Sequence, residues 1–223
     1  MKGCLLLHGF NGDPCDMNPL ADVFNEKNIL THCPILHVRD QPKKNLRRST
    51  YLDWIQSAHQ GYKELSQQCS DIAVVGFSMG GLLAFHLTQR YQPKCMVTMG
   101  APIYCLDGKN ILHDISNSIK NKDYLRILDY TALFRIPLKA NYHFVKILRS
   151  AKPLIKELDV PLFVIQGRKD PIVKAKSAQY IFDHAKTPQK EIRYYDRTSH
   201  RFYGSVETPI IFEDIVSFVS NHL

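Results

Sequence analysis

The sequence predicts an α/β protein whose mostly parallel central sheet is flanked by helices. Apolar runs rich in β-branched residues, such as DIAVVGF (71–77) and VPLFVIQG (160–167), are typical of strands buried on both faces. Segments such as 49–67 instead carry apolar residues at helical spacing. The two kinds of segment alternate along the chain, and its 223 residues suit a single domain spanning residues 1–223.

Each predicted element is supported by its periodicity and by the residues at its ends. Gly9 ends the first strand, Pro102 ends the fourth, Ser49 or Thr50 caps the second helix, and Thr208 caps the last. The predicted strands are 3–8, 29–36, 71–77, 94–102, 160–167 and 190–196. The predicted helices are 18–28, 49–67, 80–91, 175–185 and a C-terminal helix that follows its cap.

The alternation stops between Pro102 and Val160. This stretch contains apolar residues at helical spacing, many basic residues and no strand pattern. We therefore expect a small helical cap, about residues 103–156, inserted over the carboxyl edge of the sheet.

Composition limits the class of protein and its location. Hydrophobic residues make up 44% and charged residues 22%, as in an ordinary globular chain, and no apolar run approaches the roughly 20 residues that cross a bilayer. The N-terminal apolar run, 4–7, is too short for a signal peptide. We expect a cytoplasmic protein without stable membrane insertion, and the sequence leaves its oligomeric state open.

The net charge of +8 raises the question of an anionic partner. The charge is spread thinly, with one local cluster at 42–48 and no nucleic-acid-binding signature, so we expect a solvated basic loop and no nucleic acid partner. The six cysteines are scattered without metal-ligand spacing, which favours reduced, structural thiols and no metal site.

A candidate nucleophile lies in VVGFSMGG (74–81), where Ser78 follows a predicted strand and precedes a predicted helix. A serine on so sharp a turn is held in a strained backbone conformation that presents its hydroxyl group. Gly76 and Gly80 lack side chains that would collide with the neighbouring strands and helix. Since ligands bind beyond the carboxyl ends of parallel strands, Ser78 is predicted to be catalytic.

The segment HGF (8–10) ends the first predicted strand. We expect the backbone N–H groups of Phe10 and Met79 to form an oxyanion hole, since two such donors stabilise the charge that develops on a substrate carbonyl oxygen. His8 is interpreted as a residue that braces this loop rather than as a base.

A nucleophilic serine needs a base, and the chain has ten histidines. His200 alone lies in a polar loop between the last strand and the final helix, so it is the predicted base. The histidines considered less suitable are His32 and His37 beside an early strand, His59, His86 and His184 within helices, His113 and His143 in the cap, and His222 near the end.

The base needs an acid to fix its tautomer. Asp170, in QGRKDPIV, follows the strand 160–167 and completes the chain order serine, aspartate, histidine. Asp107 and Asp196 are the alternatives, although Asp196 lies close to His200 in sequence.

The segments LLLHGFNGDP, VVGFSMGG, VIQGRKDPIV and TSH together resemble the α/β-hydrolase superfamily. More narrowly, the sequence is similar to small bacterial carboxylesterases related to monoacylglycerol lipases, over nearly the whole chain and least clearly in the cap. The resemblance implies an α/β-hydrolase fold in which Ser78, Asp170 and His200 are nucleophile, acid and base. It also implies that the amides of Phe10 and Met79 form the oxyanion hole. The chain starts directly at the strand bearing HGF, so we expect a minimal core, a departure that bears on substrate size rather than chemistry.

The expected reaction is cleavage of a small carboxylic ester through an acyl-enzyme, with short- to medium-chain acyl esters and monoacylglycerol as candidate substrates. No metal or organic cofactor is called for. Thioester, amide and lactone substrates stay open because the same three residues serve each of them. A non-catalytic binding module is the hypothesis of another class, and the presence of all three residues in order disfavours it.

Overall fold

A computed structural model describes residues 1–36, 49–105, 118, 120 and 137–223. It confirms the predicted sheet. The strands are β1 (Lys2–Leu7), β2 (Leu30–His32), β3 (Asp71–Phe77), β4 (Cys95–Met99), β5 (Leu162–Gly167) and β6 (Lys190–Tyr195). Their spatial order is β2-β1-β3-β4-β5-β6, and every pairing is parallel. The carboxyl ends of β3 and β5 therefore lie at the same edge, which brings the loops that follow them together.

Helices cover both faces of the sheet, as predicted. They are α1 (Asn18–Glu26), α2 (Tyr51–Ser66), α3 (Met79–Thr88), α4 (Leu138–Leu154), α5 (Lys176–His184) and α6 (Thr208–His222). One face carries a core that includes Trp54, Phe85 and Ile147. The other carries a core that includes Phe24 and Ile215. All five side chains are almost completely buried, and burial of each contributes about 1.5–3 kcal/mol.

Most predicted boundaries differ from the structure by a few residues, and the differences with a clear physical reason follow. β2 has only three residues and ends before Pro34, because proline has no N–H to continue a ladder. β4 ends at Met99, before the predicted stop at Pro102. Thr50 caps α2 as predicted, accepting a hydrogen bond from the N–H of Asp53. The prediction for Thr208 is wrong.

Thr208 is the first residue of α6, and Glu207 holds the N-cap position. The Thr208 hydroxyl donates to the carbonyl oxygens of Phe202 and Ser205, each at 2.7 Å. The hydroxyl group therefore stabilises the preceding loop instead of accepting a bond from a helix N–H, which is what a cap would do.

Several predictions fall outside the described residues. These are the basic run 42–48, His37, His113, Asp107 and the part of the cap between 106 and 136 other than 118 and 120. Of the predicted cap (103–156), the structure describes α4, which packs against α2 and α3. The single domain and the extent of the cap stay predictions. Among the described helices, none is long and apolar enough to cross a membrane.

One contact between α3 and α4 makes stability depend on pH. His86 Nε2 lies 3.1 Å from Ser150 Oγ, and that hydroxyl donates to the carbonyl oxygen of Ile147. The imidazole therefore donates through Nε2. Burial, together with the nearby His59, lowers the pKa of His86 from 6.5 to about 4.

We expect the free energy of unfolding to fall as the pH is lowered from 6.5 towards 4, because the unfolded chain gains a proton on His86 that the folded chain does not accept. His86→Gln keeps a donor for Ser150 and does not titrate, so its stability should fall less steeply over the same range. Urea unfolding at several pH values measures both slopes. Burial also lowers the pKa of His59 and of His143, but their contributions are common to both proteins. Parallel curves would contradict the assignment.

Candidate active site

Ser78 occupies the tight turn between β3 and α3. Its φ of 51° is unusual for a residue with a side chain, and its N–H donates to the carbonyl oxygen of Met99 at 2.8 Å. A Cβ at Gly80 would lie 2.0 Å from the carbonyl oxygen of Leu7, and one at Gly76 would lie 2.4 Å from that of Gly80. Glycine is therefore required at both positions, for the reason that the sequence suggested, and the turn holds the serine in a strained conformation.

The structure brings the three predicted catalytic side chains together. Ser78 Oγ lies 3.0 Å from His200 Nε2, and His200 Nδ1 lies 2.7 Å from Asp170 Oδ2. The Asp170 side chain is completely buried, whereas that of His200 is 13% exposed. A hydroxyl, an imidazole and a carboxylate in this arrangement can transfer a proton from the serine while the carboxylate stabilises the imidazolium.

Asp170 is held by donors on both oxygens. Oδ1 accepts from the N–H groups of Ile172 and Val173, each at 2.8 Å, and Oδ2 accepts from Gln166 Nε2 at 3.2 Å as well as from His200. These bonds offset the cost of burying a charged side chain. Sequence reasoning missed Gln166, whose signal is a single amide in an otherwise apolar strand.

The alternative acid, Asp196, does not reach His200. It forms an ion pair with Arg168, whose Nε lies 2.9 Å from its Oδ1, and its side chain is 79% exposed. Of the two candidate acids that the structure describes, only Asp170 contacts the base.

The loop that carries His200 is fastened on two sides. Thr198 Oγ1 donates to Glu207 Oε2 at 2.7 Å, and the same oxygen accepts from the N–H of Arg197 at 2.9 Å. The carbonyl oxygen of Thr198 accepts from the N–H of Lys169, which joins this loop to that of Asp170. Glu207 was also missed, since nothing in its sequence context marks it as a partner of Thr198.

The segment predicted to form the oxyanion hole lies against the serine. A Cβ added to Gly9 would be 3.5 Å from Ser78 Cβ. Met79 is the first residue of α3, where helix geometry leaves the N–H without an intrahelical acceptor. Within the described ranges, no acceptor is hydrogen-bonded to the N–H of Phe10 or of Met79. Both groups are thus available, and their joint role stays a prediction.

His8 and the remaining described histidines have other contacts. His8 is buried, its Nδ1 donates to the carbonyl oxygen of Gly9 at 2.9 Å, and its Nε2 accepts from the N–H of Leu36 at 3.4 Å. These bonds fit the interpretation of His8 as a brace for the loop. His32 pairs with Glu64. His184 and His222 donate to carbonyl oxygens one helical turn before them.

Helix α4 approaches the site through aromatic contacts. The ring of Phe144 lies 5.0 Å, centroid to centroid, from that of Phe10, which in turn lies 5.4 Å from the ring of Trp54 in α2. A side chain from the stretch predicted as a cap therefore packs on the residue whose N–H is a candidate oxyanion donor.

Three of the six cysteines are poor nucleophiles because burial disfavours their thiolate form. All six are free, and burial raises the pKa of Cys33 and Cys95 to about 12 and that of Cys105 to about 11. A thiol with so high a pKa forms little of the nucleophilic thiolate near neutral pH. In the part of the chain that the structure describes, no group of three or more His, Cys, Asp or Glu residues could hold a metal ion.

The chain is similar in sequence to known hydrolases. A family model described as serine aminopeptidase, S33, matches residues 108–207, which include Asp170 and His200. A thermostable monoacylglycerol lipase from Bacillus sp. (strain H-257) is 26% identical over 231 residues, covering 99% of this chain and 91% of that protein. A carboxylesterase from Bacillus subtilis (strain 168) is 24% identical over 226 residues, covering 98% and 92% respectively.

Solved structures show the same architecture. The structure reported with LipS and LipT, two metagenome-derived lipolytic enzymes, superposes with a TM-score of 0.80 at 21% identity, covering 99% of this chain and 94% of that one. The monoacylglycerol lipase of Paleococcus ferrophilus superposes with a TM-score of 0.74 at 14% identity, covering 99% and 95%. At these identities the likeness shows a shared fold. The chain has the α/β-hydrolase fold and is similar in sequence to a carboxylesterase and a monoacylglycerol lipase.

Proposed function

We propose that this protein is a serine hydrolase that cleaves carboxylic esters with short- to medium-chain acyl groups. The observation that carries the proposal is the unbroken series of contacts from Ser78 through His200 to the buried Asp170. Similarity to a carboxylesterase and a monoacylglycerol lipase over almost the whole chain supports an ester as substrate and makes monoacylglycerol a candidate.

In the first half of the proposed mechanism, Ser78 Oγ attacks the ester carbonyl carbon while His200 Nε2 takes the hydroxyl proton. Asp170 holds the Nδ1–H of His200 and stabilises the imidazolium that forms. The N–H groups of Phe10 and Met79 donate to the oxyanion, and loss of one such donor costs about 3–4 kcal/mol in comparable sites.

In the second half, His200 returns its proton to the leaving alcohol and the carbon–oxygen ester bond breaks, which leaves the acyl group on Ser78. Water then attacks the acyl-enzyme, with His200 as general base, and releases the carboxylic acid and the free serine. Neither half requires a metal or an organic cofactor.

Other substrate classes and a non-catalytic role have less support than ester cleavage. Thioesters, amides and lactones can use the same three residues, so substrate comparison must separate them. A non-catalytic binding module would have no need of a strained serine hydrogen-bonded to a histidine. A cytoplasmic location and the absence of a nucleic acid partner stay predictions from the sequence.

A series of nitrophenyl esters of increasing acyl length tests the proposed substrate class. If apolar side chains of the cap bind the acyl group, each methylene should contribute up to about 0.8 kcal/mol, or about fourfold in kcat/KM. We expect kcat/KM to climb and then to drop abruptly at short to medium chains. A flat profile, or faster turnover of matched thioesters, would contradict the proposal.

Variants of α4 test whether the cap sets this limit. Phe144 is half-buried beside Phe10, so Phe144→Ala should move the preferred acyl length. Leu138 lies on the same helix but is 88% exposed, so Leu138→Ala is the matched control and should leave the profile unchanged. An equal loss at every acyl length in Phe144→Ala would instead indicate damage to the Phe10 loop.

A further inference from the structure

Gln166 lies at the carboxyl end of β5 with its side chain in contact with the triad acid. It is completely buried. Its Nε2 donates to Asp170 Oδ2 at 3.2 Å and also lies within hydrogen-bond distance of two carbonyl oxygens, of Gly167 at 3.1 Å and of Val173 at 3.3 Å.

The surroundings determine which way the Gln166 amide points. Its three neighbours are a carboxylate oxygen and two carbonyl oxygens, none of which can donate a hydrogen bond. With the amide reversed, Oε1 would face three acceptors without one hydrogen between them. The donor group must therefore face Asp170.

The opposite end of the same amide has no partner among the described residues. Gln166 Oε1 is buried, and no hydrogen bond reaches it from them. An unsatisfied buried polar atom destabilises the folded state, and Gln166 lies on the core face that also includes Val164 and Leu162. The net contribution of this amide to stability is therefore small.

Asp170 shows what the amide does there. A carboxylate has about four acceptor sites, and the four donors around Asp170 occupy two on each oxygen. Oδ1 is fixed by two backbone N–H groups. Among the described residues, the Gln166 amide is the one donor to Oδ2 besides His200. The carboxylate cannot rotate without breaking all of these bonds.

We infer that Gln166 is a positioning residue of the triad, which keeps Asp170 Oδ2 directed at His200 Nδ1 and spreads part of its negative charge. This inference rests on the proposed function.

Gln166→Met removes the donor with little change in length. We expect kcat to fall about tenfold, since the carboxylate that orients His200 loses one of the donors that hold it, while KM stays unchanged because the residue is buried away from substrate. More charge on Oδ2 favours the imidazolium form of His200, so the acid limb of the kcat/KM profile should move to higher pH. Cys105 and Lys174 beside Asp170, and Lys169 and Arg201 on the flanking loops, are the same in both proteins.

A purely structural role of Gln166 would lower the melting temperature of Gln166→Met and leave its kcat unchanged. Because the substitution removes the unsatisfied Oε1 together with a donor to a buried carboxylate, two opposing effects, we expect the melting temperature to stay close to that of the wild type. Thr98→Val is the matched control: Thr98 is buried on β4, and its Oγ1 also lacks a partner among the described residues. It should melt no lower than the wild type and keep its kcat and its pH profile.

Two results would overturn the inference. One is a lower melting temperature in Gln166→Met with kcat and the acid limb unchanged, and the other is wild-type kinetics with wild-type stability.

The downfield proton resonance of His200 Nδ1–H gives a readout without substrate. In Ser78→Ala protein it should shift when Gln166 is replaced by Met. If the wild type cleaves no ester but the resonance shifts in this way, the proposed function is refuted and the positioning role of Gln166 is retained.

Discussion

Ser78→Ala and His200→Ala should each reduce ester hydrolysis by about 10⁴- to 10⁶-fold, and the double variant should be scarcely slower than either single one. The physical reason is the 3.0 Å contact between Ser78 Oγ and His200 Nε2. Without the imidazole the hydroxyl keeps its proton, and without the hydroxyl the imidazole has no proton to take. The measurement is kcat/KM for a nitrophenyl ester on all four proteins.

Covalent labelling separates this mechanism from binding without catalysis. A serine-directed fluorophosphonate should label the wild type and fail to label Ser78→Ala. Ser66→Ala and His184→Ala are matched controls, because both residues are exposed and make only local hydrogen bonds to backbone carbonyls. If the two single losses multiply in the double variant, the residues do not act as one unit. If the wild type is not labelled and does not hydrolyse esters, the result would support the hypothesis of a non-catalytic binding module.

The sheet could be predicted because each of its strands has a recognisable pattern of apolar residues in the sequence. Runs such as 72–77 are apolar throughout, which is typical of a strand buried on both faces. The strained turn at Ser78 was predictable for the same reason, since glycines at both flanks show where elements must approach closely. Chain order then supplied Asp170 and His200 as partners.

The contacts that the sequence did not predict depend on the direction of side chains in the folded protein. A glutamine in an apolar strand and a glutamate before a helix are each unremarkable as residue types. Their roles follow from the fold, which turns Gln166 towards Asp170 and brings Glu207 to Thr198. Thr208 was assigned wrongly because a helix-start pattern cannot show that its hydroxyl bonds back to the loop.

Asp170→Asn should preserve the fold and slow turnover about 10⁴-fold, since an amide in place of the triad acid imposes the wrong histidine tautomer. The local geometry dictates the orientation of the new side chain. The N–H groups of Ile172 and Val173 at the Oδ1 position need an acceptor, so the asparagine oxygen must take that place. Its NH₂ group then faces His200 Nδ1, forces the proton onto Nε2 and prevents the imidazole from accepting the serine proton.

Asp196→Asn is the matched control for this substitution. It removes an exposed ion pair with Arg168, a contact worth roughly 0–1 kcal/mol, and it lies outside the contacts of His200. Turnover near neutral pH should therefore be unchanged, and circular dichroism should show both variants folded. The opposite pattern, a mild effect at Asp170 and a severe one at Asp196, would mean that the wrong carboxylate has been identified. Equal, mild effects would mean that His200 obtains its tautomer without a carboxylate, which the 2.7 Å contact between His200 Nδ1 and Asp170 Oδ2 argues against.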